Sequence, residues 1–258
     1  MTRLPLLVGF ALLLGAASAP EGKVIAAIDL ATPFGASSPW RLVATQGADV
    51  EGIAGNQEPG AITLCLSKDA GRSCSPALND LLGDRRSDDA FVEPHYLSTP
   101  TILHPAPGRA LLFVQVASVH SGNGNQRVAT RLLAYDKAKD GFVTAYAQRT
   151  GRNNNEEVRY VADGPLKGAV IFAEPTSDAP FGYWISVSKP DAALRYKQVL
   201  RFRSGTIYGD GNPLAVIDSE MPNIQQRLGL WAPGKPLPVP VGQPCPKPRL
   251  VKTVLWCS

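Results

Sequence analysis

Histidine is scarce, with three residues in 258, at positions 95, 104 and 120. None of the three is four residues from another, which excludes the paired helical histidines of a zinc protease. His95, His104 and Asp89 remain as a candidate metal set. Cysteine is limited to Cys65, Cys74, Cys245 and Cys257, without the close pairs that structural zinc requires. No Gly-x-Ser-x-Gly elbow occurs, and Gly164-Pro-Leu-Lys-Gly168 reads as a strand connection because no Lys-Ser/Thr pair opens a helix after it. Charge of either sign is in small excess: 26 basic against 22 acidic residues give +4. That lacks the large, clustered surplus of a nucleic-acid-binding surface, so no nucleic-acid partner is expected. A membrane-length apolar run is missing as well. The N-terminal run covers about a dozen residues, and a spanning helix needs ~20.

That short run has a different meaning. Arg3 supplies a charge, Leu4 to Gly15 are mostly apolar, and Ala16, Ala17, Ser18 and Ala19 are small. This is the pattern of a secretory signal peptide of the bacterial type. It is read as residues 1–18, cleaved between 17 and 19, since a cut after Ala19 would leave Pro20 at the new N-terminus. The first cysteine is Cys65, so no lipid anchor is expected, and the mature chain reads as periplasmic or secreted with no stable membrane anchor. An even cysteine count in an oxidising compartment predicts two disulfides. The local pairing, Cys65 with Cys74 and Cys245 with Cys257, is the favoured one of three connectivities. Each bridge would contribute about 2–3 kcal/mol.

What the chain has in quantity is turn residues, 24 Gly and 23 Pro. Between them lie short runs rich in Val, Ile, Leu, Phe and Tyr, at 23–30, 40–45, 61–66, 110–119, 127–135, 142–148, 156–161, 169–173, 183–187, 194–203 and 214–217. Such spacing predicts an all-β, mostly antiparallel fold, either propeller-like meanders or a twisted β-sandwich. Ser121-Gly-Asn-Gly-Asn125 suggests a type I′ hairpin, and polar turns are expected at 136–141 and 151–155. Residues 110–161 then read as one four-stranded meander and 169–217 as another. One short helix is expected near 219–228, with Ser219 as N-cap and Pro222 in its first turn. Residues 20–232 read as a single β domain. From Pro233 to Pro248 seven prolines enforce extended backbone without ladder hydrogen bonds. Residues 233–258 are therefore expected to form a proline-rich strap and C-terminal strand, tied by Cys245–Cys257.

Candidate sites are few. Glu174 and Asp178 flank a loop beside Tyr183 and Trp184, a set able to hold a saccharide through ring stacking and carboxylates. Glu156 and Glu157 are adjacent in a strand and point to opposite faces. Asp210 and Asn212 alternate with glycine, and resemble calcium loops of integrin-type propellers over half a dozen residues only; a plain turn is the better reading. In the run 195–203 the period of two places Arg195, Lys197, Arg201 and Arg203 on one face, suited to an anionic envelope polymer or an acidic protein surface. No cofactor is implied, and the sequence is silent on oligomeric state. The expectation is an exported, non-catalytic protein that binds or modulates an envelope component or a protein partner. A hydrolase of envelope polysaccharide using Glu174 and Asp178 is the alternative, and a secreted inhibitor is a third reading.

Overall fold

The computed structural model describes residues 22–52, 55–84, 86, 89, 91–151, 156–241 and 244–257. The expected signal peptide at 1–18 and most of the turn expected at 151–155 lie outside these. The fold is mostly β, 45% strand and 9% helix, with antiparallel sheets.

Along the chain come β1 (Lys23–Asp29), a single turn α1 (Ala31–Phe34), β2 (Arg41–Gln46), a small hairpin of β3 (Val50–Glu51) and β4 (Gln57–Glu58), and β5 (Ile62–Ser67). β1, β2 and β5 form the first sheet in that order. β6 (Tyr96–Leu97), β7 (Thr101–Ala106), β8 (Arg109–Ala117), β9 (Arg127–Asp136) and β10 (Gly141–Gly151) make the second, of order β10-β9-β8-β6 with β7 also on β8. β11 (Glu157–Tyr160), β12 (Val170–Pro175), β13 (Gly182–Pro190) and β14 (Tyr196–Ile207) make the third, in chain order. Two short helices follow, α2 (Val216–Ser219) and α3 (Met221–Arg227), then the hairpin β15 (Pro248–Val251) and β16 (Val254–Cys257).

The layers follow from which residues are apolar on both sides of a strand. Leu111 and Leu112 are consecutive in β8 and both fully buried, although adjacent strand residues face opposite ways. Leu112 joins a core with Leu42, Leu64 and Leu66 of the first sheet. Leu111 joins another with Val170, Val158 and Tyr160 of the third. The second sheet is thus the central layer. The outer face of the third sheet buries Ile171, Ile185 and Phe202 against Val216, Ile217 and Ile224 of the two helices. Helices, not the first sheet, cover that face, so among the described residues the stacked sheets do not close into a ring. The expected all-β, mostly antiparallel fold is what forms.

Other differences are local. The fourth strand of the first expected meander, β11, leaves β10 and pairs with β12 instead. The loop at Ser121 is closed by Ser121 N donating to Asn125 O at 2.8 Å. Only Gly124 there takes a positive φ, 79°, whereas a type I′ turn requires two such residues. The run 214–217 is not a strand but enters α2. Ser219 ends that helix, its hydroxyl donating to Ala215 O at 3.0 Å, and Glu220 takes the N-cap position of α3 without a side-chain cap. The buried Glu220 carboxylate turns instead to Thr206 N and Oγ1, both at 2.7 Å, and to Asn223. The turn at 136–141 forms as expected, with Asp136 accepting from Ala138 N and Lys139 N. Both disulfides pair as expected, Cys65–Cys74 and Cys245–Cys257.

Candidate functional site

The third sheet gathers most of the residues singled out from sequence. Glu174 of β12, Trp184 of β13 and Arg203 of β14 are successive cross-strand partners, so their side chains share one face. Arg201 pairs with Ser186 on that same face and lies over the Trp184 ring, 4.6 Å from its centroid. Arg201 reaches Glu174 at 3.7 Å. Arg203 donates to Asp178 Oδ2 at 2.8 Å and to Pro180 O at 2.8 Å, and its guanidinium holds the Asp178 carboxyl below the usual aspartate range. Two cations and two carboxylates thus meet around one indole.

Three expected members are elsewhere. Tyr183 turns to the opposite face and is 1% exposed, inside the core under the helices. Lys197 pairs with Lys189, and Gln198 with Ser188, but Leu200 pairs with Val187. Val199 is the extra residue of a bulge, and a bulge resets the alternation. Lys197 consequently faces away from Arg201 and Arg203, and the expected four-cation stripe is divided. Arg195 precedes β14, in the turn closed by Asp191 N donating to Arg195 O at 2.9 Å. Lys197 is paired with Asp191 at 3.3 Å.

Two residues that no sequence pattern marks for binding complete the surface. Phe181 and Tyr208 flank the open end of the β13–β14 ladder, joined by Tyr208 N donating to Phe181 O at 2.8 Å. They are 55% and 57% exposed, large aromatic areas left in water. No periodicity marks them, because both lie just outside their strands. Glu156 was also set aside. Burial raises its pKa, opposed by the Gly151 N–H and supported by the charge of Glu174.

The remaining candidates are accounted for by local bonding. Asp210 Oδ1 accepts from Asn212 N at 2.8 Å, and Asn212 Oδ1 from Leu214 N at 3.1 Å, while the Asn212 amide donates to Ser219 Oγ and Leu255 O. These oxygens cap a turn. Asp89 binds Arg127 at 2.8 Å, His104 is exposed on β7, and the buried His95 uses Nδ1 on Pro59 O at 2.7 Å. Among the described residues no three His, Cys, Asp or Glu side chains gather as metal ligands. His120 instead sits 3.4 Å from Glu58 and 3.3 Å from the Tyr96 hydroxyl. Burial acts to raise Glu58, but the His120 backbone N–H, charge and ring, with Tyr96, outweigh it and hold the carboxyl below its ordinary value.

No family model matches the chain, and no match is found among curated proteins or solved structures. Among the described residues no helix is long and apolar enough to cross a membrane.

Proposed function

We propose that this chain is an exported, non-catalytic binding protein that docks a protein partner of the cell envelope through the β13–β14 end of its third sheet. The observation that carries the reading is the exposed pair Phe181 and Tyr208 beside the Trp184–Arg201 stack. Aromatic residues and arginine on a firm scaffold are the composition of interface hot spots. An exposed aromatic costs free energy in water that a partner's apolar surface recovers. Two disulfides fit the oxidising compartment that the leader implies. An anionic polymer is a poorer match, because Arg201 and Arg203 are each met by a carboxylate and the patch offers little net positive charge. Hydrolysis at Glu174 and Asp178 is also disfavoured. A glycosidase acid is kept protonated by its surroundings, whereas Arg203 keeps Asp178 ionised.

The test is a photo-crosslinking residue placed at Tyr208 in living cells, with the exposed Val143 of the central sheet as control position. A protein captured from position 208 and not from 143, and lost when Phe181→Ser and Arg203→Ser are added, supports the proposal. Equal capture at both positions, or capture indifferent to Phe181→Ser, ends it.

A further inference from the structure

β11 is an outer strand of the third sheet, at the edge opposite β14. Just beyond it, Val161 donates to Ala169 O at 2.9 Å and accepts from Gly168 N at 2.8 Å. Val161 therefore directs both of its backbone groups toward β12. A trans peptide sets its C=O and N–H on opposite sides. The Tyr160 C=O and the Ala162 N–H must then point the other way, off the free edge. Among the described residues neither group has a hydrogen-bond partner.

Tyr160 and Ala162 line a cleft of about 560 Å³, within the ~300–1,000 Å³ of natural ligand sites. The opposite wall is the proline strap, with Pro236, Pro238 and Pro240 turned to the gap. Pro236, Pro238 and Pro240 have no N–H to offer, Val239 N donates within the strap to Leu237 O at 2.9 Å, and among the described residues no backbone bond joins the strap to this edge. Trp231 adds an apolar wall, its indole N–H spent on Pro236 O at 2.8 Å. The charge of the cleft is acidic. Arg159 is held by both Asp218 and Glu157, and Asp163 at the rim is exposed. The Asp163 carboxylate caps nothing and has no ion-pair or hydrogen-bond partner among the described residues.

We propose that this cleft binds an extended basic peptide segment as an added strand on β11. Main-chain bonds to Tyr160 C=O and Ala162 N–H supply the register, small apolar side chains fill the space under the prolines, and a Lys or Arg of the peptide meets Asp163. Addition of a strand to an open edge is a recurrent mode of peptide recognition. The site is distinct from the aromatic patch, and either proposal can fail without the other.

The probe is a fluorescein-labelled pentapeptide, Lys-Val-Thr-Val-Thr, titrated against the full disulfide-bonded chain by fluorescence anisotropy. Saturable binding is expected. Ala162→Pro, which removes the outward N–H and fixes φ while leaving the Val161 bonds in place, weakens it by up to about tenfold, the equivalent of one lost hydrogen bond. Asp163→Asn weakens the lysine probe and leaves its norleucine counterpart unchanged. Hydrogen exchange at the Ala162 amide slows when the probe is added. Should Ala162→Pro fail to fold, a probe N-methylated at alternate amides tests the same bonds on the unaltered chain, and loss of its binding is expected. The proposal is overturned by absence of saturable binding at millimolar probe, by equal binding of the N-methylated probe, or by an Ala162 amide whose exchange the probe leaves unchanged.

Discussion

The indole N–H of Trp40 donates to Asp140 Oδ1 at 2.9 Å, across a hundred residues of sequence. The same carboxylate accepts from Ser38 Oγ at 2.5 Å, Tyr135 OH at 2.7 Å and Lys68 Nζ at 3.1 Å. One side chain in the β9–β10 turn thereby anchors two segments of the first layer, at Ser38–Trp40 and at Lys68, to the central sheet. The hydroxyls of Ser38 and Tyr135, then the indole, hold the Asp140 carboxyl well below the usual aspartate range. A carboxylate with a depressed folded pKa stabilises the protein above its unfolded pKa, and that contribution is lost as pH falls through the folded value. Asp140→Asn is therefore expected to lower the urea midpoint at pH 7, and the deficit should shrink as pH is taken below about 4, the ordinary aspartate value. Urea titrations at pH 7, 4 and 2.5 check this; a deficit constant across the series would mean that the charge of Asp140 is irrelevant.

Leu112 and Leu133 are direct cross-strand partners of β8 and β9, both fully buried in the core shared with the first sheet. Truncating either to alanine removes buried methyl groups and leaves a cavity that the flanking sheets cannot close, at a cost of about 2–5 kcal/mol. Because the two sites touch one space, the double variant should lose less than the sum of the single losses. Guanidinium unfolding of the three variants measures both quantities. Strict additivity would place the residues in independent cavities.

The strand class and the disulfide pairing were legible in the sequence because each rests on local chemistry: β-branched runs between turns, and cysteine spacing. The Asp136–Gly141 turn was legible for the same reason. What escaped is set by contacts far along the chain. β11 changes sheets because Val158 and Tyr160 are half-buried on the central layer while Arg159 faces the helices, and a four-residue strand does not announce its partner. The basic stripe failed at one residue, Val199, whose bulge appears only when β14 is set against β13. Glu174, Asp178 and Trp184 did prove to be neighbours, yet the arginines that occupy them were assigned to a separate feature. Loop aromatics such as Phe181 and Tyr208 carry no period, and only the folded surface reveals them as exposed.

Cys245 and Cys257 close the far end of the strap, 12 residues apart in sequence. Cys257 is buried on β16, whereas residues 233–236 are exposed. Replacing both cysteines by serine should cost about 2–4 kcal/mol through the enlarged freedom of the unfolded chain. It should also free the strap locally before the sheets unfold. Limited proteolysis with mass spectrometry is expected to show faster cleavage within 233–247 and unchanged protection of β8 and β9. An unaltered cleavage rate would mean that Trp231 and its bond to Pro236 hold the strap without the bridge.

Arg159 donates through Nε to Glu157 at 2.7 Å and through Nη2 to Asp218 Oδ2 at 3.1 Å, with Nη1 also on Asp218. Asp218 is 3% exposed. Burial raises the pKa of Glu157, only partly offset by Arg159, so the network places two acids on one guanidinium. Removing one partner of a buried ion pair leaves the other uncompensated, at about 3–5 kcal/mol. Arg159→Met is accordingly expected to destabilise by that amount, and Glu157→Gln to be near neutral at mildly acidic pH, because Asp218 then retains the arginine alone. The sign with pH differs from that of Asp140. A carboxyl whose folded pKa is raised costs stability as pH rises above its unfolded value, near 4.3, and the cost is complete above the folded pKa. The advantage of Glu157→Gln over the unaltered chain should thus grow between mildly acidic and neutral pH. Chemical denaturation at pH 4, 5.5 and 7 decides it: an advantage that stays flat would show that Arg159 fully compensates both acids, and the cleft beneath the strap would then be less acidic than its composition implies.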